Sequence, residues 1–187
     1  MDAPSLTGEQ IVTLTARICL GIILLTSGLG KLRDLRGFTA GIRAYDLIPA
    51  PWTVPIAVLL PALECLLALM LLADVALPIG ALASAGLLLA FSAAVAINLR
   101  RGRRIACHCH GLLDSQLISW GLLARNALLL MLCGLLIGRN TGVNSAALTL
   151  AEMLITGLLV GWCFLLLSLV HHAVDVTLAV RHAATRA

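Results

Sequence analysis

Charged and aromatic residues are both scarce in this sequence of 187 residues. Asp, Glu, Lys and Arg make up 12% of it, about half their share in an ordinary soluble domain. Aromatic residues make up 4%, and the basic residues lie between apolar runs, so nucleic acid is not an expected partner. Hydrophobic residues account for 60%, and the mean hydropathy is +1.03. The composition therefore indicates an integral membrane protein, whose first partner is the lipid bilayer.

The sequence also lacks the pattern of a disulfide framework, although it contains six cysteines. Such frameworks belong to short secreted domains. Four of the cysteines lie singly within apolar runs, where cysteine behaves as a small hydrophobe, and we expect them to be chemically inert. These four are Cys19, Cys65, Cys133 and Cys163.

Five apolar runs each have about the 17 to 25 residues that a transmembrane helix needs. They cover approximately residues 11–29, 54–72, 75–99, 118–137 and 146–170. The polar connector 31–52 contains prolines that prevent one continuous helix, and its first half predicts a short interfacial helix. Asp74 marks a tight turn between the second and third runs. The predicted fold class is all-α, a polytopic transmembrane helix bundle.

Three of the runs carry two small residues four positions apart, a spacing that lets helix backbones approach closely. The pairs are Gly80 with Ser84, Gly134 with Gly138, and Gly157 with Gly161. They predict close helix contacts at three places.

The Lys and Arg residues outside the runs are distributed unevenly between the two ends of the predicted bundle. Ten of them, Lys31 and nine arginines, fall on one side, and Arg139 alone falls on the other. Because cytoplasmic loops carry the excess of basic residues, we expect the N-terminus outside and the C-terminus in the cytoplasm. The expected location is the plasma (inner) membrane, with the loop after residue 99 at its cytoplasmic face.

Chemically reactive residues concentrate in segment 100–120, whose sequence is RRGRRIACHCHGLLDSQLISW. Cys107, His108, Cys109 and His110 follow four arginines there. Nearby positive charge favours the thiolate, which is both a nucleophile and a soft-metal ligand. The segment therefore suggests thiol redox chemistry or metal binding. The alternative is that the arginines only set the topology and the cysteines are incidental.

In the redox interpretation, Cys107 and Cys109 cycle between dithiol and disulfide through a mixed disulfide with a partner thiol. His108 favours the thiolate and His110 moves protons, so all four residues are catalytic candidates. In the metal interpretation the same residues bind a soft ion such as Cu(I), but ligands on consecutive residues surround one ion poorly, and no metal site is expected in this chain alone. A third interpretation is a non-catalytic subunit or assembly factor whose fifth helix docks a partner enzyme.

The first, second and fourth apolar runs each contain a charged residue: Arg17, Glu64 and Arg125. A charge in mid-bilayer costs at least about 2.5–3.5 kcal/mol and is tolerated chiefly when it is paired or faces a cavity. We expect Glu64 in the bundle interior with Arg17 or Arg125 within salt-bridge reach. Such a cluster either has a purely structural role as an ion pair, or it binds a polar head group or carries protons. A further alternative is a Glu64 that snorkels or stays protonated without a role.

The polar residues between the apolar runs resemble those of the MauE family, which is grouped with DoxX-like redox-associated membrane proteins. The resemblance covers about residues 16–139, and its most specific part is NLRRGR at 98–103 followed by CHCHG at 107–111. The matching stretches elsewhere are Arg17, 28–31, YDLIP at 45–49, LPALE at 60–64, ISW at 118–120, Arg125 and Asn126. Two departures are His110, where the family has an aromatic residue, and the fifth span, which lies beyond the four-helix core.

The resemblance implies a four-helix membrane domain at 1–140, followed by an additional transmembrane helix and a basic, histidine-containing tail at 141–187. It implies thiol redox chemistry in the maturation or electron supply of a partner redox enzyme, together with a thioredoxin-like protein. Quinone is the first candidate cofactor, as in DoxX-like relatives, and copper is the second. The candidate cofactor-binding residues are Glu64, Arg17, Arg125 and Trp120. If the chain is an enzyme, it is a quinone-linked thiol:disulfide oxidoreductase. The resemblance does not imply that it acts on methylamine.

Overall fold

The structure is a computed structural model that describes residues 7–103, 105, 118–138 and 150–184, with the side chains of 153–174, 176 and 177 in the last range. The secondary structure in these ranges is helical. The helices are α1 (Gly8–Arg33), α2 (Leu35–Tyr45), α3 (Ala50–Leu72), α4 (Leu77–Arg100), α5 (Trp120–Ile137) and α6 (Leu150–Ala184). All except α2 are long and apolar enough to cross a membrane. The predicted class is confirmed, and the chain is a multi-pass helical membrane protein.

The helix boundaries differ from the predicted spans mainly where the flanking sequence is polar. α1 was expected to end near residue 29 but continues to Arg33. α3 begins at Ala50, because Pro49 is its N-cap and Pro51 lies in its first turn, where the missing N–H of proline breaks no hydrogen bond. The predicted short helix forms α2, and the tight turn is present at Asp74, whose φ is 59°.

α1 is the central helix of the bundle and contacts α2, α3, α5 and α6. Its contact with α3 requires glycine at one position. A Cβ added to Gly28 would lie 2.7 Å from Sγ of Cys65 and 2.9 Å from the carbonyl oxygen of Pro61. Any side chain at Gly28 would therefore push α1 away from α3.

The small-residue pairs behave differently from one another. Gly80 and Ser84 are buried, and Gly80 faces Leu71 and Met70 of α3, as predicted. The other two pairs make no such contact in the described part of the chain. An added Cβ would meet nothing within 4 Å at Gly134, Gly157 and Gly161, and only atoms of its own helix at Gly138.

The end of α2, the end of α4 and the start of α5 meet at one end of the bundle. Arg103, just after α4, donates to the carboxylate of Asp46 at 3.0 Å. The backbone N–H of Ile118 donates to the carbonyl oxygen of Ile105 at 2.9 Å. Ile105 and Ile118, which flank segment 106–117 with its Cys-x-Cys pair, therefore lie next to each other at this end of the bundle.

Candidate functional site

A cavity of about 590 Å³ lies inside the bundle, and all six helices contribute to its wall. This volume falls within the range of about 300–1,000 Å³ that is typical of small-molecule sites. Much of the wall is apolar and includes Leu24, Leu129 and Leu167. Its polar residues are Thr26, Ser27, Lys31, Tyr45, Glu64, Arg125, Asn126, Ser168, His171 and His172.

Lys31 and Glu64 form a buried ion pair in the cavity wall. Their side chains are only 3% and 8% exposed. Nζ of Lys31 also lies 5.4 Å from the ring centroid of Phe38 and 5.8 Å from that of Phe91, and a cation is attracted to such aromatic faces. Oε2 of Glu64 has no hydrogen-bond partner among the described residues. The pair ties α1 to α3 and leaves one carboxylate oxygen able to accept a hydrogen bond.

Tyr45, the one tyrosine of the sequence, lines the cavity at the end of α2. Burial raises the pKa of Tyr45 to about 12, because a partly buried site favours the neutral phenol over the charged phenolate. Its hydroxyl has no hydrogen-bond partner within the described ranges. Tyr45 is therefore a donor that a ligand in the cavity can use.

Lys31 occupies the place that the sequence analysis gave to an arginine. Glu64 is buried in the bundle, as expected, but its ion pair is with Lys31. The expectation that Arg17 pairs with Glu64 is wrong, because Arg17 forms an ion pair of 2.7 Å with Asp74. Arg17 precedes Lys31 by 14 residues, which is about 21 Å along a helix. Arg125 lies in the same cavity wall as Glu64 without being its ion-pair partner among the described residues.

The remaining predicted site residues lie away from this cluster or outside the described ranges. Trp120 is the first residue of α5 and is 45% exposed. Neither Trp120 nor Arg17 is among the described residues that line the cavity. The predicted catalytic residues Cys107, His108, Cys109 and His110 lie outside the described residues, so their role stays a prediction.

The flanks of the cysteine-bearing segment are close to the cavity. Ile105 and Ile118 belong to an apolar cluster that also contains Tyr45 and Phe91. Tyr45 and Phe91 line the cavity as well. Two side chains therefore connect the base of segment 106–117 with the wall of the cavity.

Lys31 lines the cavity but was missed by the sequence analysis, because it follows an apolar run and was counted as a loop cation. A signal was present in the spacing of positions 17, 20, 24, 28 and 31, which fall on one face of a helix. All five are buried in α1. Extending that periodicity past residue 29 would have placed Lys31 in the bundle interior.

A match to the model of the MauE family, "Methylamine utilisation protein MauE", covers residues 9–139, which contain α1 except for Gly8, all of α2 to α5 and most of the cavity wall. The chain belongs to the MauE family. It is 34% identical to a methylamine utilization protein MauE of Paracoccus denitrificans over 82% of this chain and 81% of that protein. It is also 34% identical to a MauE of Methylorubrum extorquens, over 80% of this chain and 74% of the relative.

This MauE-family chain has no matching solved structure. A third relative, the MauE of Paracoccus versutus, is 32% identical over 65% of this chain and 66% of its own length. α6 begins at Leu150 and so lies beyond the stretch that the family model matches. It nevertheless contributes Phe164, Leu167 and Ser168 to the cavity.

Proposed function

We propose that this MauE-family chain is a membrane thiol:disulfide redox protein in which Cys107 and Cys109 alternate between dithiol and disulfide. A lipid-soluble quinone in the cavity is its second substrate. The observation that carries the proposal is the position of Tyr45 and Phe91, which pack against the flanks of segment 106–117 and also line the cavity. A ligand in the cavity would therefore lie beside the base of the cysteine-bearing segment.

The chemistry of the cavity supports a quinone as the ligand. A quinone has an apolar ring and two carbonyl oxygens that accept hydrogen bonds. The apolar wall near Leu129 and Leu167 suits the ring and its tail, whereas Lys31, Arg125 and Tyr45 carry donors. Copper is the second candidate, and it would bind Cys107, His108, Cys109 and His110, which lie outside the described residues.

The thiol–disulfide exchange with a partner protein takes two steps. One thiolate of the Cys107 and Cys109 pair attacks a disulfide of a thioredoxin-like partner and forms a mixed disulfide, which releases one partner thiol. The other cysteine then attacks the mixed disulfide, releases the second partner thiol and closes the disulfide of this chain. Reduction of that disulfide takes two electrons and two protons from a quinol, which becomes quinone. The reverse sequence oxidises the partner, and His108 and His110 would accept and return the protons.

The proposed orientation has the N-terminus outside, the C-terminus in the cytoplasm and the cysteine-bearing segment at the cytoplasmic face of the plasma membrane. Lys31 is buried in an ion pair and no longer counts as a loop cation, which leaves nine basic residues on one side and one on the other. That distribution still favours the same orientation. Because the relatives are named for methylamine utilisation, the redox enzymes of that pathway are the first partners to test.

Maleimide labelling of Cys107 and Cys109 in intact cells and in opened membranes tests both chemistry and orientation. We expect labelling only after reduction and only where the cytoplasmic face is reachable. Treatment of reduced protein with a short-chain quinone should restore protection. The Cys107→Ser and Cys109→Ser variants should lose this protection from labelling. Cys133→Ser, which changes a buried thiol of α5, is the matched control and should keep it.

Three outcomes would contradict the proposal. If the segment is labelled from outside intact cells, the orientation is the opposite of the proposed one and the exchange partner is periplasmic. Copurification of stoichiometric copper, lost in Cys107→Ser, would replace redox exchange with metal binding. If Cys107 and Cys109 stay reduced after quinone treatment and bind no metal, the chain is better explained as a non-catalytic subunit that docks a partner enzyme.

A further inference from the structure

Two cysteines of the membrane-spanning helices contact each other, although the sequence analysis treated each as isolated. Cys19 of α1 and Cys163 of α6 are 144 residues apart in the chain, and their Sγ atoms are 3.0 Å apart. This distance is shorter than the about 3.5–4.0 Å at which even smaller non-bonded carbon atoms have their energy minimum. A disulfide needs the two Sγ atoms at about 2.05 Å, which is about 1 Å closer than they are here.

We propose that Cys19 and Cys163 are an intramembrane redox pair that forms a disulfide when a lipid-soluble quinone oxidises it. The S–H bonds of both cysteines break and one S–S bond forms. Two electrons and two protons pass to the quinone, which leaves as quinol. The proposal concerns residues other than Cys107 and Cys109 and does not depend on their chemistry.

The depth of this cysteine pair in the membrane is the reason for proposing a lipid-soluble quinone as its oxidant. Cys163 lies in the middle of the candidate span Met153–Val174, out of reach of water-soluble oxidants. Cys19 is fully buried, but Cys163 is partly exposed on the bundle surface. Its neighbours Trp162 and Phe164 are 60% and 37% exposed. A quinone dissolved in the bilayer can therefore reach the pair from the side of α6.

A zinc ion is a weaker explanation for the two sulfur atoms. Two thiols are too few for a zinc site, which takes four ligands. In the part of the chain that the structure describes, no third Cys, His, Asp or Glu completes a metal-binding group. Cys19, Cys65, Cys133 and Cys163 are all free thiols in the structure, and among the described residues only Cys19 and Cys163 lie this close to another cysteine.

The disulfide would attach α6 covalently to the central helix of the family core. α6 lies beyond residues 9–139, and its Phe164 and Leu167, one and four residues after Cys163, line the cavity. Oxidation would therefore fix one wall of the cavity, and reduction would leave that wall held by non-covalent contacts alone.

The test uses the full chain with Cys65, Cys107, Cys109 and Cys133 replaced by Ser and a protease site inserted within 139–149, between α5 and α6. After a short-chain quinone is added in proteoliposomes and the chain is cleaved, the two fragments should migrate together on a non-reducing gel and separate after reduction. A matched variant that keeps Cys133 and Cys163 but lacks Cys19 should separate under both conditions.

A second measurement uses the unmodified chain and does not depend on how well the serine variant folds. Peptide mass spectrometry after quinone treatment should find the Cys19 and Cys163 peptides linked. The proposal is overturned if the fragments separate without reductant, or if membrane-permeable N-ethylmaleimide modifies Cys19 and Cys163 fully after quinone treatment.

Discussion

Breaking the buried ion pair between Lys31 and Glu64 should destabilise the protein more than breaking an exposed ion pair. Both side chains are less than a tenth exposed, at 3% and 8%. Removal of one partner leaves the other charge in an apolar interior, where it must stay charged without compensation or change its protonation state. For buried pairs such a change costs about 3–5 kcal/mol. We therefore expect Glu64→Gln and Lys31→Met each to lower the free energy of unfolding by about this amount.

The double variant separates loss of the pair from loss of packing. In the double variant, Lys31→Met with Glu64→Gln, no unpaired charge remains in the interior. Its loss of unfolding free energy should therefore be about 2–3 kcal/mol smaller than the sum of the two single losses. Equilibrium unfolding with SDS in mixed micelles, followed by tryptophan fluorescence, measures all three variants against the unchanged protein.

The matched control is the ion pair between Arg103 and Asp46. Nη2 of Arg103 lies 3.0 Å from Oδ2 of Asp46, but the two side chains are 40% and 72% exposed. Exposed pairs contribute about 0–1 kcal/mol, so Asp46→Asn should have little effect. The reasoning fails if Glu64→Gln costs no more than Asp46→Asn. It also fails if the two single costs add in the double variant, because the side chains would then not be coupled.

Two further predictions concern helix packing and Tyr45. Gly28→Ala should lower stability in the same assay by about 1–3 kcal/mol, because its Cβ would meet α3, whereas Gly134→Ala, which has open space, should be neutral or stabilising by up to about 1 kcal/mol. Equal effects would show that α1 and α3 can move apart freely. The phenolate absorbance of Tyr45, the one tyrosine, should rise near pH 12 in the folded protein, and stability should fall between pH 10 and 12, where only the unfolded state loses the proton. Titration near pH 10 without loss of structure would contradict the burial of Tyr45.

The sequence predicted the helical bundle and the burial of Glu64 because both follow from the cost of placing polar groups in lipid. Run length determines where a helix can span, and a charge in mid-span must face the interior. The partner of Glu64 was predicted wrongly, because α1 continues past the apolar run to Arg33 and so carries Lys31 to the depth of Glu64 on the same face as Arg17. The depth at which α1 packs against α3 depends on side-chain contacts along both helices, which run length does not report.

The contact between Cys19 and Cys163 shows the same limit more sharply. Each cysteine sits alone in an apolar run, and nothing within either run points to the other. Their meeting depends on where α6 docks against α1. Tyr45 was similarly visible only as part of a short motif, since its place in the cavity depends on how α2 folds back over the end of the bundle.

The polar contacts of α1 fix both its rotation and its depth. Arg17 pairs with Asp74 towards one end, Lys31 pairs with Glu64 towards the other, and Cys19 meets Cys163 between them. Successive residues of an α-helix are separated by about 100° of rotation, so a slip of one residue would break both ion pairs. α4 is held to its neighbours by apolar contacts, small residues and a neutral hydrogen bond from Nδ2 of Asn126 to Oγ of Ser92, which cost less to break than a buried ion pair. Changes in α1 should therefore alter the cavity more than changes of the same size in α4.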